Sequence, residues 1–406
     1  MAWRNVWRNP RRTSLTIAAI TFATGLLIFS FSFQFGSYDA MINAAIQVHT
    51  GHLQIQAKGY LEDKDMRQVV EHPEAVARIL KNTSDVKDYA CRANAFSLIA
   101  SEDRTYGGLV IGIDPIREPR VSRIKTLIRK GAYLDKAHGA QAVVGQLLAR
   151  NLKVGLGDEL TLLGQGRDGS IAATVVTVKG LYATGQDEFD RSTIQIPLSF
   201  FQDTYAMRGA VHEVVILGRH LDQVNQIRHR LTPKLAQIEN PKPLVALTWS
   251  EIMPGLIQAI KLDLTSGFIM YSLLVIVVAF SILNTFLMAV LERTREFGVM
   301  MAIGIRPNRL TKLLLYESTV LTLMGLGVGW ILGVGVTYFF QQHGIDLAGS
   351  SEILAQYGIS GRLYPRLSWA SMTVGPALVL IITILAALYP ALRVRRLSIV
   401  DSLAYA

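Results

Sequence analysis

Two sets of residues in this 406-residue chain have types that could do chemistry. The first comprises the acids Asp187, Glu188 and Asp190 and the imidazoles His52, His72, His138, His212, His220 and His229. Paired carboxylates can run acid–base catalysis, and grouped imidazoles can hold a metal. Neither pattern closes here. There is no His-x-x-x-His pair, no cysteine cluster and no Gly-x-Ser-x-Gly elbow, so these residues read as surface acids and histidines. The single cysteine, Cys91, excludes an internal disulfide and reads as a small buried strand residue. Gly164-Gln165-Gly166-Arg167-Asp168-Gly169 lacks the Gly-Lys-Ser/Thr ending of a phosphate loop, and reads as a hairpin turn.

The second set does recognition rather than catalysis. In Glu292-Arg293-Thr294-Arg295-Glu296-Phe297-Gly298-Val299-Met300-Met301-Ala302-Ile303-Gly304, the residues Phe297, Met300, Met301 and Gly304 recur at three- and four-residue spacing. That spacing puts them on one face of a helix. Glu292, Arg293, Arg295 and Glu296 form a charged flank, and Gly304 with Pro307 supplies a stop. Such a segment either lies on a membrane surface or is gripped by a partner.

The elements that position this stretch are apolar runs. Half of the residues are hydrophobic and the mean hydropathy is +0.30, too apolar for an ordinary soluble chain. Four charge-free runs account for it, at 13–38, 264–291, 318–345 and 367–392. Each exceeds the ~20 residues that a helix needs to cross a bilayer. The expected fold is an α-helical membrane protein with four transmembrane helices and a large α/β extracytoplasmic domain inserted between helices 1 and 2. In order, the expected pieces are an amphipathic N-terminal segment 1–12 carrying Trp3 and Trp7, helix 1 at 13–38, the inserted domain at 39–263 and helix 2 at 264–291. A connecting helix at 292–312, helix 3 at 313–340, a short loop at 341–366, helix 4 at 367–392 and a tail at 393–406 complete the chain. Segments 1–12, 292–312 and 393–406 concentrate arginine and lysine, whereas the 341–366 loop balances Arg362 and Arg366 against Asp346 and Glu352. The positive-inside rule then puts both termini and the 292–312 segment in the cytoplasm. The net charge of +10 is thus mostly topological, and no nucleic-acid partner is expected.

Within the inserted domain, alternating runs predict strands at 52–56, 96–100, 109–115, 159–163, 173–181 and 211–217. Helices are expected at 73–80, 143–152, 197–205 and 221–231. In the membrane, Gly325, Gly329 and Gly333 repeat every four residues and permit close helix packing, within the chain or across a subunit boundary. Asn284 is expected to hydrogen-bond a neighbouring helix. Glu317, near the interface, is expected to snorkel or to pair with Arg309 or Lys312. Phe22, Phe29 and Phe33 share one stripe of the first helix, which is either packing or the lining of a cavity for a lipid-like substrate.

The 292–304 stretch resembles the coupling-helix signature of the FtsX-like ABC permeases, the family of lipoprotein-releasing and macrolide-exporting (MacB-type) transporters. Gly112-Ile113-Asp114-Pro115, Gly145-Gln146 followed by Gly157-Asp158, and Gly180-Leu181-Tyr182-Ala183-Thr184-Gly185 followed by Ile196-Pro197-Leu198 resemble the family's periplasmic core domain. The last of these is similar to the lipoprotein-releasing branch. The tail resembles the family's end, with Ile399 where proline is common. The resemblance implies a mechanotransmission permease in a bacterial inner membrane, with Glu292, Arg293, Arg295, Glu296, Phe297, Gly298, Met301 and Gly304 docking a cytosolic ATPase. ATP and Mg would be bound by that ATPase and no cofactor by this chain. It further implies a second permease subunit, identical or paralogous, contact with membrane lipids and a periplasmic carrier protein. The cargo expected from the resemblance is a lipoprotein or another lipid-like molecule. Efflux of drugs or peptides, or transmembrane regulation of periplasmic hydrolases, are the alternatives.

Overall fold

The computed structural model describes residues 10–135, 139–346 and 362–396. The segment carrying Trp3 and Trp7, His138, residues 347–361 of the short loop and Ile399 lie outside these. One compact unit joins the chain up to Asp39 with Ala259–Leu347 and the residues from Arg362 onward; the other is built on Ala40–Gln258.

The first helix, α1, runs Pro10–Ala45 and is followed by a π-helical turn, Ile46–Thr50. It is longer than the expected 13–38 because nothing between Tyr38 and Gly51 breaks a helix. Gly51, at φ 68°, ends it. Gly36 does not stop the helix and has a separate reason to be glycine. A Cβ there would come within 2.1 Å of the Tyr364 carbonyl oxygen.

The inserted domain is a ten-stranded sheet with order β10-β1-β9-β2-β3-β8-β5-β7-β4, and β6 pairs with both β2 and β7. The strands are β1 Leu53–Ala57, β2 Val86–Ala100, β3 Thr105–Ile113, β4 Ile128–Gly131, β5 Gln141–Gly145, β6 Glu159–Gln165, β7 Ile171–Tyr182, β8 Thr193–Pro197, β9 Glu213–Gly218 and β10 Leu244–Thr248. Because β6 bridges β2 and β7, strands β2-β3-β8-β5-β7-β6 close on themselves. Closure removes free edges and encloses a core that includes Ala93, Ala95, Ile99, Val110, Val144, Leu160, Val176 and Ile196. The other half of β2 pairs with β9, which leads to β1 and β10 in an antiparallel wing. Helices α2 (Pro73–Lys81) and, after α3 (Gln146–Leu152), α4 (Asp187–Ser192) and α5 (Leu198–Thr204), α6 (Val224–Leu235) cover that wing over Leu53, Ile55, Val214 and Ile216.

One expected element is corrected. Residues 143–152 are not one helix: 143–145 belong to β5, parallel to β7, and α3 starts at Gln146. A strand buried on both faces reads as a continuous apolar run, which periodicity cannot separate from a helix.

Four helices among the described residues are long and apolar enough to cross a membrane. After α1 come α7 Pro254–Glu292, then α9 Pro307–His343 and α10 Trp369–Arg393, with a short α8, Thr294–Ala302, between α7 and α9. Expectation gave the connecting helix 292–312, but it stops ten residues earlier. Gly304 sits at φ 96°, the Ile305 amide bonds the Met300 carbonyl, and Pro307 starts α9 with its fixed φ. Ile20, Ala23 and Leu27 of α1 pack with Val275 and Ile282 of α7, Leu321 and Leu326 of α9, and Val379 and Ala387 of α10.

Candidate functional site

The charged connection between α7 and α9 is a corner rather than a free helix. Arg293 leaves helical geometry (φ −105°, ψ 10°) and turns the chain from α7 into α8. The side chains that follow divide into a root and a tip. Phe297 is fully buried and Met301 nearly so, packed with Val290 of α7, Leu310 and Leu314 of α9, Ala391 of α10 and Val394. Gly298 is buried and Met300 half-buried against the same cluster. Four helices thus meet at one apolar knot.

The charges hold the knot from the side. Arg293 Nη1 donates to Glu317 Oε2 at 3.0 Å and Oε1 at 3.3 Å, and its Nε donates to Glu296 at 3.4 Å. Its guanidinium lies 5.4 Å from the Phe297 ring centre, a cation–π distance. Glu317 therefore pairs with Arg293, not with Arg309 or Lys312 as expected. Arg309 and Lys312 precede Glu317 on α9 itself, whereas the turn at Arg293 brings its fork across from the neighbouring helix. A charged nitrogen that reaches both oxygens suits a largely buried carboxylate. Thr311 Oγ1 adds a bond to the Ala391 carbonyl at 3.1 Å, tying α9 to α10.

The tip points the other way. Glu292, Arg295, Val299, Ala302, Ile303, Gly304 and Arg306 are exposed, with Val299 at 45% and Ile303 at 78%. Ile303 is thus a bare apolar side chain beside an arginine-rich rim. This corrects the expected contact set. Phe297, Gly298 and Met301 root the helix and are not available to a partner, and the pairing of Arg293 turns it inward. The apolar knob is Val299 and Ile303, which share the i, i+4 spacing of one helix face. That spacing was legible in the sequence.

The other sequence candidates separate in the same manner. Gly325, Gly329 and Gly333 all face α1: a Cβ on each would approach Ile20, the Thr21 carbonyl and Gly25 to 2.7–2.8 Å. The Thr21 hydroxyl also donates to the Gly325 carbonyl at 3.1 Å. The glycine stripe is therefore used within the chain. Asn284 is exposed on α7, and among the described residues no helix of this chain supplies its expected hydrogen-bond partner. Phe22, Phe29 and Phe33 differ in their surroundings. Phe29 stacks on Phe33 at 6.3 Å and meets Phe340 edge-on at 5.8 Å, whereas Phe22 is 69% exposed. Two of the three are packing residues.

In the inserted domain the titratable residues are structural. His212 is buried, not superficial: its Nδ1 accepts the Asn94 amide at 2.9 Å, and its ring stacks on Tyr60 at 4.9 Å. Burial lowers its pKa to about 4. His52 is buried too, accepts the Gly218 amide at 2.9 Å and is shifted down by the same cause. Asp190 accepts from the Thr184 amide and hydroxyl and the Gly185 amide, and burial raises its pKa. Burial likewise lifts the half-buried Cys91 to about 11, away from thiolate reactivity. Arg92 and Glu118, both fully buried, form a 2.6 Å ion pair. Arg92 also donates to the His49 carbonyl and sits 2.8 Å from its Nδ1, fastening the π-helical turn to β2.

Comparison with known proteins assigns the two parts of the chain to two family models. Residues 13–234 match the MacB-like periplasmic core domain, and residues 268–399 the FtsX-like permease C-terminal. The chain is 23% identical over 409 residues to the lipoprotein-releasing system transmembrane protein LolC of Neisseria meningitidis serogroup B, covering 97% of this chain and 94% of that one. The LolC of Xylella fastidiosa (strain 9a5c) is 23% identical over 75% of this chain and 74% of its own length. The macrolide export ATP-binding/permease protein MacB of Wolinella succinogenes is 24% identical over 84% of this chain and 53% of its own length.

Proposed function

The chain belongs to the FtsX-like permeases with a MacB-like periplasmic core domain, and from that membership we propose that it couples ATP hydrolysis on a separate ATPase subunit to the extraction of a lipid-anchored cargo. It is a multi-pass membrane protein and an ABC transporter permease, a family whose working form includes an ATPase partner. The finer reading puts it in a bacterial inner membrane, with both termini and α8 cytoplasmic and the inserted domain periplasmic. The arginine-rich flanks of α8 and of the tail support that orientation. ATP and Mg are then bound by the ATPase, which receives the Val299–Ile303 knob. A second permease subunit completes the transporter. Asn284 supports this, because it sits seven residues, or about 10 Å along the helix, inside the charged end of α7. An amide at that depth finds no hydrogen-bond partner in hydrocarbon.

The observation that carries the coupling role is the split of α8 into an inward root and a bare apolar tip. A helix meant only to lie on lipid would keep its apolar face outward. Here Phe297 and Met301 are spent on the chain's own helices, and what remains exposed is a small knob rimmed by charge. The similarity to two LolC proteins along most of the chain favours a lipoprotein cargo handed to a periplasmic carrier. The experiment is photocrosslinking in cells from Phe22, the exposed member of the α1 stripe. Crosslinks to acylated proteins are expected. Crosslinks to phospholipid alone would return Phe22 to lipid contact and favour export of a soluble substrate, in line with the similarity to MacB.

A further inference from the structure

Charge in the inserted domain is unevenly distributed. Between residues 117 and 153 the sequence carries nine lysines and arginines and only two acids, Glu118 and Asp135. Both acids are committed to other cations: Glu118 to the buried Arg92 and Asp135 to Lys179 at 2.5 Å. Arg117 and Arg120 have partners in Asp114 and Asp88, and Arg123 bonds Gln47. Of the other six, three come together. Arg129 and Lys130 on β4 and Gln146 and Arg150 on α3 rim a cleft of about 260 Å³ whose floor includes Leu147 and Val154. Among the described residues no carboxylate stands within ion-pair distance of Arg129, Lys130 or Arg150. Of the three acids on the neighbouring α4, Asp187 pairs with Arg191 and Asp190 bonds Thr184, and Glu188 is exposed.

Three like charges held around one concavity repel one another, and like-charge placement of this kind is relieved by an anion. We propose that this cleft is a binding site for a phosphate-bearing ligand. A carboxylate offers two oxygens. A phosphate offers three or four, enough to meet two guanidinium groups, an ammonium and the Gln146 amide together. The apolar floor accepts a carbon chain attached to the phosphate, so the group could arrive as free phosphate or as the headgroup of an amphiphile. Nothing in the cleft is needed for docking an ATPase or for the membrane helices, so the site stands independently of the transport reading.

The test uses the full chain purified in a neutral detergent and titrated calorimetrically with three probes. These are inorganic phosphate, a short-chain phosphatidate below its micellar concentration, and acetate. Phosphate or phosphatidate should bind, acetate at least tenfold more weakly, and rising KCl should weaken binding. The double variant Arg129→Gln/Arg150→Gln should lose at least tenfold in affinity, Arg150→Lys less, and Arg208→Gln, a surface control paired with Asp203, nothing. Equal affinity for both phosphates identifies the bare anion as sufficient; preference for phosphatidate identifies an amphiphile headgroup. Absence of binding by either, equal binding of acetate, or unchanged affinity in the double variant would overturn the site. All the substituted residues are exposed, and an unchanged unfolding midpoint checks that the fold is intact.

Discussion

If α8 is a rooted helix with a docking tip, substitutions less than two turns apart must fail for different reasons. Ile303 is 78% exposed and Phe297 fully buried. Burying an isoleucine side chain against a partner contributes roughly 1.5–3 kcal/mol. Ile303→Asp forfeits that and places a carboxylate in a desolvated contact, so a loss of about 2 kcal/mol or more is expected, some 30-fold in ATPase affinity per corner. Its cost to the permease itself should stay within about 0.5 kcal/mol, as for other surface changes. Phe297→Ala removes a ring from the knot between Val290, Leu314 and Ala391 and should cost about 3–5 kcal/mol of local stability. The assay measures two quantities on each variant: the ATPase retained through purification, and the thermal unfolding midpoint of the permease alone. Ile303→Asp should lose the ATPase with an unchanged midpoint, and Phe297→Ala should lower the midpoint. If Ile303→Asp keeps its ATPase, or Phe297→Ala sheds the ATPase with no change in midpoint, the division into root and tip is wrong.

Two further outcomes follow from the geometry. Gly329→Val should prevent close approach of α9 to α1, since its first added carbon already lies 2.7 Å from the Thr21 carbonyl; Gly327→Val and Gly335→Val, with nothing within 4 Å, should assemble normally, as read by detergent stability. In the inserted domain, burial holds His212 neutral down to about pH 4, whereas an unfolded histidine takes its proton near 6.5. The unfolded state therefore binds more protons below 6.5, and stability present above that pH should be lost as it falls toward 4, by up to about 3 kcal/mol. His212→Asn should flatten that part of the stability–pH profile, and an equally steep profile in the variant would assign the loss to other groups.

How much was legible in the sequence depended on the range of the interaction. The four spans follow from composition and length, because a bilayer imposes a local requirement on every residue. Most strands followed from alternation, and the stop at Gly304-x-x-Pro307 from backbone chemistry. Closure of the six-stranded ring was not legible. It rests on Leu98–Ala100 of β2 meeting Thr161–Leu163 of β6, more than sixty residues away, and on the parallel pairs β3–β8 and β5–β7. The segment 143–152 failed for the related reason that β5 is covered on both sides, which erases its period.

For the membrane corner, sequence supplied depth but not direction. Asn284 and Glu317 are both polar groups in or beside apolar runs; Asn284 is expected to bond a neighbouring helix, and Glu317 to snorkel or to pair with Arg309 or Lys312. Glu317 has a partner because the turn at Arg293 brings a guanidinium to it. Asn284 faces away from the bundle. Spacing likewise showed that Phe297, Met300 and Met301 share a face, but not whether that face was root or contact. The answer lay in Leu310, Leu314 and Ala391, which sequence separation hides. The consequence is mechanical. One non-helical residue, Arg293, joins α8 to α7, while its side chain is held by Glu317 of α9. If Ile303 receives a partner's push, the force enters a knot that packs Val290 of α7, Leu310 and Leu314 of α9 and Ala391 of α10 together, with the Arg293–Glu317 pair bracing α9. Because α9 also packs on α1 through Gly325, Gly329 and Gly333, and bonds α10 through Thr311, such a force would reach α1 and α10 through α9.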